Sequence, residues 1–112
     1  MENNLLWDDF EKVEMRVGTI IKVNDFPEAR KPAYQLTIDF GIEIGIKKSS
    51  AQITNRYSTQ ELIGKQIIAV LNFPKKQIGK FMSECLVLGS VSGDDIVLLT
   101  SDKKAANGLR VK

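Results

Sequence analysis

Between Val13 and Val23 the side chains alternate for eleven residues. The odd positions read Val13, Met15, Val17, Thr19, Ile21 and Val23; the even ones read Glu14, Arg16, Gly18, Ile20 and Lys22. A period of two is the signature of a strand, because successive side chains point to opposite faces. Gly18, near the middle, is expected to mark a bulge or bend. A long strand with a central glycine suits one that curls across a small barrel.

Further strands follow. Tyr34, Leu36, Ile38 and Phe40 alternate with Gln35, Thr37 and Asp39. Gly41 then marks a turn, and Ile44–Lys48 is predicted to return as a third strand. The stretch from Asn24 to Pro32 holds Pro27 and Pro32 and reads as a loop. Ser58-Thr59-Gln60-Glu61 is a capping box, with Leu62 and Ile63 behind it and Gly64 as the stop signal. Gln66–Asn72 is apolar on both faces, which predicts a central strand; Pro74 forbids its continuation. Glu84–Ser90 and Ile96–Thr100 are predicted as strands joined by a turn-rich connection, Val91–Asp95. The segment from Ser101 to Lys112 reads as a polar tail.

This order predicts an all-β OB-fold: a five-stranded barrel with a short helix between strands three and four and short terminal extensions. A chain of 112 residues with 43% hydrophobic residues suits one domain, residues 1–112, with its own core.

Composition narrows the chemistry. The chain has no histidine, which removes Ser-His-Asp and Cys-His catalysis. Its one cysteine, Cys85, cannot close an intramolecular disulfide or build a thiolate zinc site. It begins an apolar strand and reads as a buried, inert thiol. Asp8-Asp9 and Asp94-Asp95 lie in terminal and turn contexts without the carboxylate cluster that a metal would need. No enzymatic activity, cofactor or metal is expected. Met1–Phe10 lacks a basic start and carries Glu2, Asp8 and Asp9, so it does not read as a signal peptide. The apolar runs are too short for membrane insertion, which takes about 20 residues. A cytoplasmic location is expected.

Charge is unevenly spread. Residues 1–28 carry a net −4 and residues 29–112 a net +6. An acidic head on a basic body permits a polyanionic partner. The most functional-looking segment is Asn72–Glu84, where Lys75, Lys76 and Lys80 supply phosphate contacts, Phe73 and Phe81 supply stacking faces, and Gly79 permits close approach. The same segment also reads as a solvated, lysine-decorated loop that discourages edge pairing. Arg30 and Lys31 would add charge on the same side, or serve solubility alone. Trp7 and Phe10 read as anchors that pack the head onto the barrel core or onto a second subunit.

Several of these segments carry a resemblance. Asp9-Phe10 with Met15-Arg16-Val17-Gly18 resembles the opening of the tRNA-binding OB domain family. Phe26–Tyr34, Ser49–Ile53, Asn72-Phe73-Pro74 and Phe81–Glu84 resemble its CsaA branch of secretion-related chaperones. The resemblance implies a homodimer that binds unfolded or precursor polypeptides, with the export motor SecA as a partner and tRNA binding as the alternative. On this reading Phe26, Phe73, Phe81 and Met82 are the polypeptide-binding candidates; Tyr34 and Phe40 fit the groove or the core. Asn72, Lys75, Lys76, Lys80, Arg30 and Lys31 are the tRNA-binding candidates. Two departures stand out: Ala51-Gln52-Ile53 replaces the family's Ser-Gly-Ile, and Glu84 stands where a glycine is usual. A carboxylate facing phosphate would repel it, which favours the polypeptide reading.

Overall fold

β1 (Met15–Asp25) is the spine of the computed structural model, which describes residues 3–112; Met1 and Glu2 of the acidic head lie outside the described residues. Its first half pairs antiparallel with β4 (Gln66–Val70), from Met15 opposite Val70 to Thr19 opposite Gln66. Its second half pairs with β2 (Tyr34–Asp39), from Thr19 opposite Asp39 to Asp25 opposite Tyr34. One strand thus serves two neighbours, as a curled barrel strand must. The irregularity falls between Ile20 and Lys22, not at Gly18, where the register with Ile67 is unbroken. Gly18 is small for a different reason. A Cβ there would lie 2.6 Å from the Phe40 ring and 2.7 Å from Ile38 Cγ2.

The alternation of β2 is realised in full: Tyr34, Leu36, Ile38 and the following Phe40 are buried. All four therefore belong to the core, Tyr34 and Phe40 included. β3 (Ile46–Ala51) pairs with β2 along its whole length. It runs further than Lys48, because Ser49 is buried with its hydroxyl donating to Cys85 O at 2.9 Å. The capping box is formed, with the Ser58 hydroxyl accepting from the Glu61 amide and the Glu61 carboxylate accepting from the Ser58 amide. It starts a helix, Thr59–Leu62, that seals one end of the barrel with Leu62. β4 is central, with Ile67 to Val70 all buried.

Beyond β4 the sequence reading needs correction. The predicted loop after Asn72 holds a hairpin of β5 (Lys76–Ile78) and β6 (Phe81–Ser83), turned at Gly79 with φ +59°. The predicted strand Glu84–Ser90 is divided into β7 (Leu86–Val87), paired with β4, and β8 (Gly89–Ser92), paired with β9 (Asp95–Leu98). The division falls at Leu88, whose N–H donates to Ile68 O at 2.9 Å while its C=O accepts from Leu99 N–H at 3.0 Å. The polar tail is strapped down. Val17 N–H donates to Leu109 O, Gly108 N–H to Val17 O and Val111 N–H to Met15 O, so the tail pairs with the edge of β1 that β2 leaves free.

The strand order is β3-β2-β1-β4-β7. The Glu84 N–H donates to Lys48 O at 2.7 Å and brings the last segment back to β3. The result is a nearly closed five-stranded antiparallel barrel of the OB type, with the helix between its third and fourth strands. The head does not bury itself in the barrel, the first of its two expected placements. The helix Trp7–Glu11 buries none of its residues, and Trp7 is 62% exposed, its ring tilted against Phe10 at 5.5 Å between ring centres. Five residues without a side-chain cap give it little reach over the barrel. No helix among the described residues is long and apolar enough to cross a membrane.

Candidate polypeptide and nucleic-acid face

The β5–β6 hairpin and the β8–β9 hairpin stand on either side of the point where the barrel closes. β5 and β6 pair with Lys76 opposite Ser83 and Ile78 opposite Phe81. Lys76, Ile78 and Ser83 line a cleft whose other walls are Ser50–Ile53 and Cys85–Gly89, with Val91, Ile96 and Leu98 at its far end. Its volume is about 450 Å³. A second lobe of about 290 Å³, lined by Phe73, Pro74, Lys76, Ser83, Cys85 and Leu86, shares its wall. The two lobes form one apolar groove with a lysine at the rim. β8–β9 is docked by Arg56, whose guanidinium donates twice to the Asp95 carboxylate at 2.9 and 2.6 Å and holds that carboxyl below its usual range. The Tyr57 hydroxyl also accepts from Leu98 N–H.

The polypeptide candidates divide. Phe73 is 56% exposed and lines the groove. Phe26 is 3% exposed and packs on Phe81 at 5.3 Å, so it is an internal anchor between the first long loop and the β5–β6 hairpin, not a groove residue. The adjoining Pro27 and the loop setting suggest exposure in sequence, but the ring folds inward. Phe81 is half-buried against it. Met82 is exposed, yet lies on the side of β6 opposite Phe81 and Ser83, away from the groove lining. Leu86, 47% exposed, and Val91 were not singled out from sequence. The available signal was an edge segment, Glu84–Ser90, with apolar residues on both faces.

The tRNA candidates divide too. Asn72 donates to Lys12 O at 2.6 Å and accepts from Glu14 N–H at 3.0 Å, so both ends of its amide tie β4 to the start of β1. Lys75 lies 3.5 Å from the Glu84 carboxylate. Arg30, Lys31, Lys76 and Lys80 are exposed and form no ion pair among the described residues. The Phe26–Phe81 packing brings the loop that carries Arg30 and Lys31 against the hairpin that carries Lys76 and Lys80. Glu84 does not stand open as the sequence suggests. Its carboxylate accepts from Lys48 N–H at 3.0 Å, so it clips the hairpin to β3. In Ala51-Gln52-Ile53 only Gln52 is exposed, on the groove wall.

Cys85 lies under the groove. Burial pushes its thiol up to about 12, and the Glu84 carboxylate adds to the shift. An ordinary thiol titrates near about 8.5. The folded protein therefore keeps a proton that the unfolded chain releases across this window, and stability is lost as pH rises from about 8.5 towards 12. Alkylation by iodoacetamide at pH 8.5 should be roughly a thousandfold slower in the folded protein than in urea. Equal rates would place the thiol in solvent.

The description "Putative tRNA binding domain" names the family whose model matches residues 15–110, and the chain belongs to this family of OB-fold proteins. Within it the chain is CsaA-like. It is 47% identical to the CsaA chaperone of Bacillus anthracis str. Ames, covering 98% of this chain and 100% of that one with a TM-score of 0.93. It is 54% identical to the CsaA chaperone of Picrophilus torridus, over 97% of this chain and 100% of that one, with a TM-score of 0.91. The methionine–tRNA ligase of Thermotoga maritima is 33% identical over 98% of this chain, which spans only 17% of that protein's length.

Proposed function

We propose that this protein binds unfolded or precursor polypeptides without catalysis, as a chaperone of the cytoplasm. The carrying observation is the apolar groove of Phe73, Pro74, Leu86, Val91 and Leu98, open to solvent beside Lys76. Apolar surface left exposed in a concave, polar-rimmed patch is what an unfolded segment would cover. The full-length likeness to CsaA chaperones supports this reading. Homodimerisation belongs to it as well: Leu5, Leu6 and Trp7 are exposed together and would be covered by a second copy. So does delivery of the cargo to SecA.

A second reading, tRNA binding in trans, is favoured by the family match and by the exposed cations Arg30, Lys31, Lys76 and Lys80. A titration with a fluorescent unfolded apolar peptide and with tRNA, each at two salt concentrations, separates the two. Peptide binding should persist at high salt, because its drive is apolar burial. tRNA binding should fall steeply. The double variant Phe73→Ser/Leu86→Ser should weaken the peptide at least tenfold, on the scale of about 1.4 kcal/mol, and leave the melting temperature nearly unchanged, since both side chains are about half exposed. Salt-steep tRNA binding with no peptide binding would reverse the ranking.

A further inference from the structure

Among the described residues, the groove has a wall of unpaired backbone. The Leu88 N–H donates to Ile68 O, so the even residues Leu86 and Leu88 turn their backbone groups towards β4. Alternation then turns those of Val87 and Gly89 the other way. In the β8–β9 hairpin the Leu99 N–H is bonded to Leu88 O, while the Leu98 N–H is taken by the Tyr57 hydroxyl. The bonded pairs are therefore Leu88 with Leu99 and Ser90 with Val97, which leaves Gly89 and Val91 facing away from β9. Val87, Gly89 and Val91 thus present one continuous strand edge, and all three line the groove.

The facing wall has the same character. Lys48 exchanges bonds with Glu84, and Ser50 N–H donates to the Ser83 hydroxyl, so the even residues of β3 point across the gap. Gln52, next in that series, has no backbone hydrogen bond among the described residues. The closure made at Lys48 and Ser50 is not continued. Two edges look into one apolar groove, with no strand between them.

We infer that the ligand docks as an added β-strand: an extended polypeptide segment of about five residues, hydrogen-bonded through its backbone to Val87, Gly89 and Val91. This rests on the polypeptide reading above and specifies its mode. The complementarity is between backbones. An edge of free N–H and C=O groups is matched by an extended chain that offers the same groups in register, which a nucleic-acid backbone does not, and which a folded protein does only where it leaves a strand edge bare. Selection would therefore fall on segments still unpaired and extended. Alternate side chains of the ligand would enter the lobes at Leu86 and Leu98, whereas the intervening ones would face solvent. Sequence demand is weak under this mode, as suits varied cargo.

The test is an N-methyl scan of a bound model peptide, read by fluorescence anisotropy on the full chain. Methylation removes one donor and adds bulk on one edge only. Strand addition predicts loss with a period of two: about tenfold at alternate positions and little between them. On the protein side, Val91→Pro removes one groove-facing N–H at an edge where proline is tolerated, and it should bind at least fivefold more weakly than Val91→Ala. Circular dichroism on both variants reports folding, and the scan on the unaltered protein stands whether or not they fold. A flat scan with binding intact overturns strand addition and leaves the polypeptide reading standing. No peptide binding at all removes both. A flat scan with the peptide displaced by tRNA or by self-association assigns the edge to another occupant and overturns the inference.

Discussion

Gly18→Ala should lower the melting temperature by about 12 °C or more, an unusually large effect for adding one methyl group. The added Cβ would meet Phe40 Cε1 at 2.6 Å and Ile38 Cγ2 at 2.7 Å. Both neighbours are fully buried, so neither can swing into solvent. Overpacking of this kind costs about 3 kcal/mol, and each kcal/mol shifts the transition by roughly 4 °C or more in a domain of this size. The mechanism gives a second readout. Phe40→Leu alone should cost about 1 to 1.5 kcal/mol, but it withdraws the ring from the space the new methyl needs. The double variant should then be more stable than the two single effects added together, by about 1 kcal/mol. The Ile38 collision survives, so the rescue is partial. Thermal melts of all four proteins complete the cycle. A Gly18→Ala protein within about 0.5 kcal/mol of the parent would show that β1 and β2 do not pack as described.

Gly18 also shows what the sequence could and could not reveal. A glycine in a strand signals either a bend or a close approach, and the two are indistinguishable until the partner ring is placed. Elsewhere patterning was enough. β2 carries a period of two because it buries one face; β1 carries it only in part, since the buried side passes from Val17 to Ile20 and leaves Ile21 exposed. β4 was legible instead as an apolar run buried on both faces, and the capping box because its two bonds are local. The β5–β6 hairpin was not legible. Strands of three residues are too short to show a period, and their lysines mimic a loop. The tail was missed because the ladder that ties it to β1 runs through backbone atoms that every residue has, with side-chain bonds from Thr19 and Arg16 added to it. The candidate site follows the same division. Charge made Lys76 and Lys80 visible, and their side chains are exposed. Phe26 and Phe73 look alike in sequence, each beside a proline, yet one anchors a loop internally and the other opens onto the groove. Asn72 matched a binding position, but its amide replaces strand bonds where β4 ends. Nothing in composition separates these roles, because they depend on which side of a strand a residue falls.

Glu84→Gly tests the largest disagreement between sequence and structure. From sequence the carboxylate repels phosphate, and its removal should strengthen tRNA binding directly. In the fold it accepts from Lys48 N–H at 3.0 Å and lies 3.5 Å from the Lys75 ammonium. Loss of the charged acceptor should cost about 1.5 to 2 kcal/mol, and glycine's backbone freedom up to about 1 more, lowering the melting temperature by roughly 10 °C. Glu84→Gln retains an acceptor for the same amide and should recover a good part of that loss. The effect on tRNA then runs through Lys75. Without its partner this lysine is free to meet one more phosphate, so the log–log salt slope should steepen by about one at most. In a Lys75→Ala background the same Glu84→Gly change should produce no gain. Filter binding at four salt concentrations, with and without Lys75→Ala, reads this out. A gain that persists without Lys75 would mean that the carboxylate itself faces the phosphates, and its role as a clip between the hairpin and β3 would be secondary.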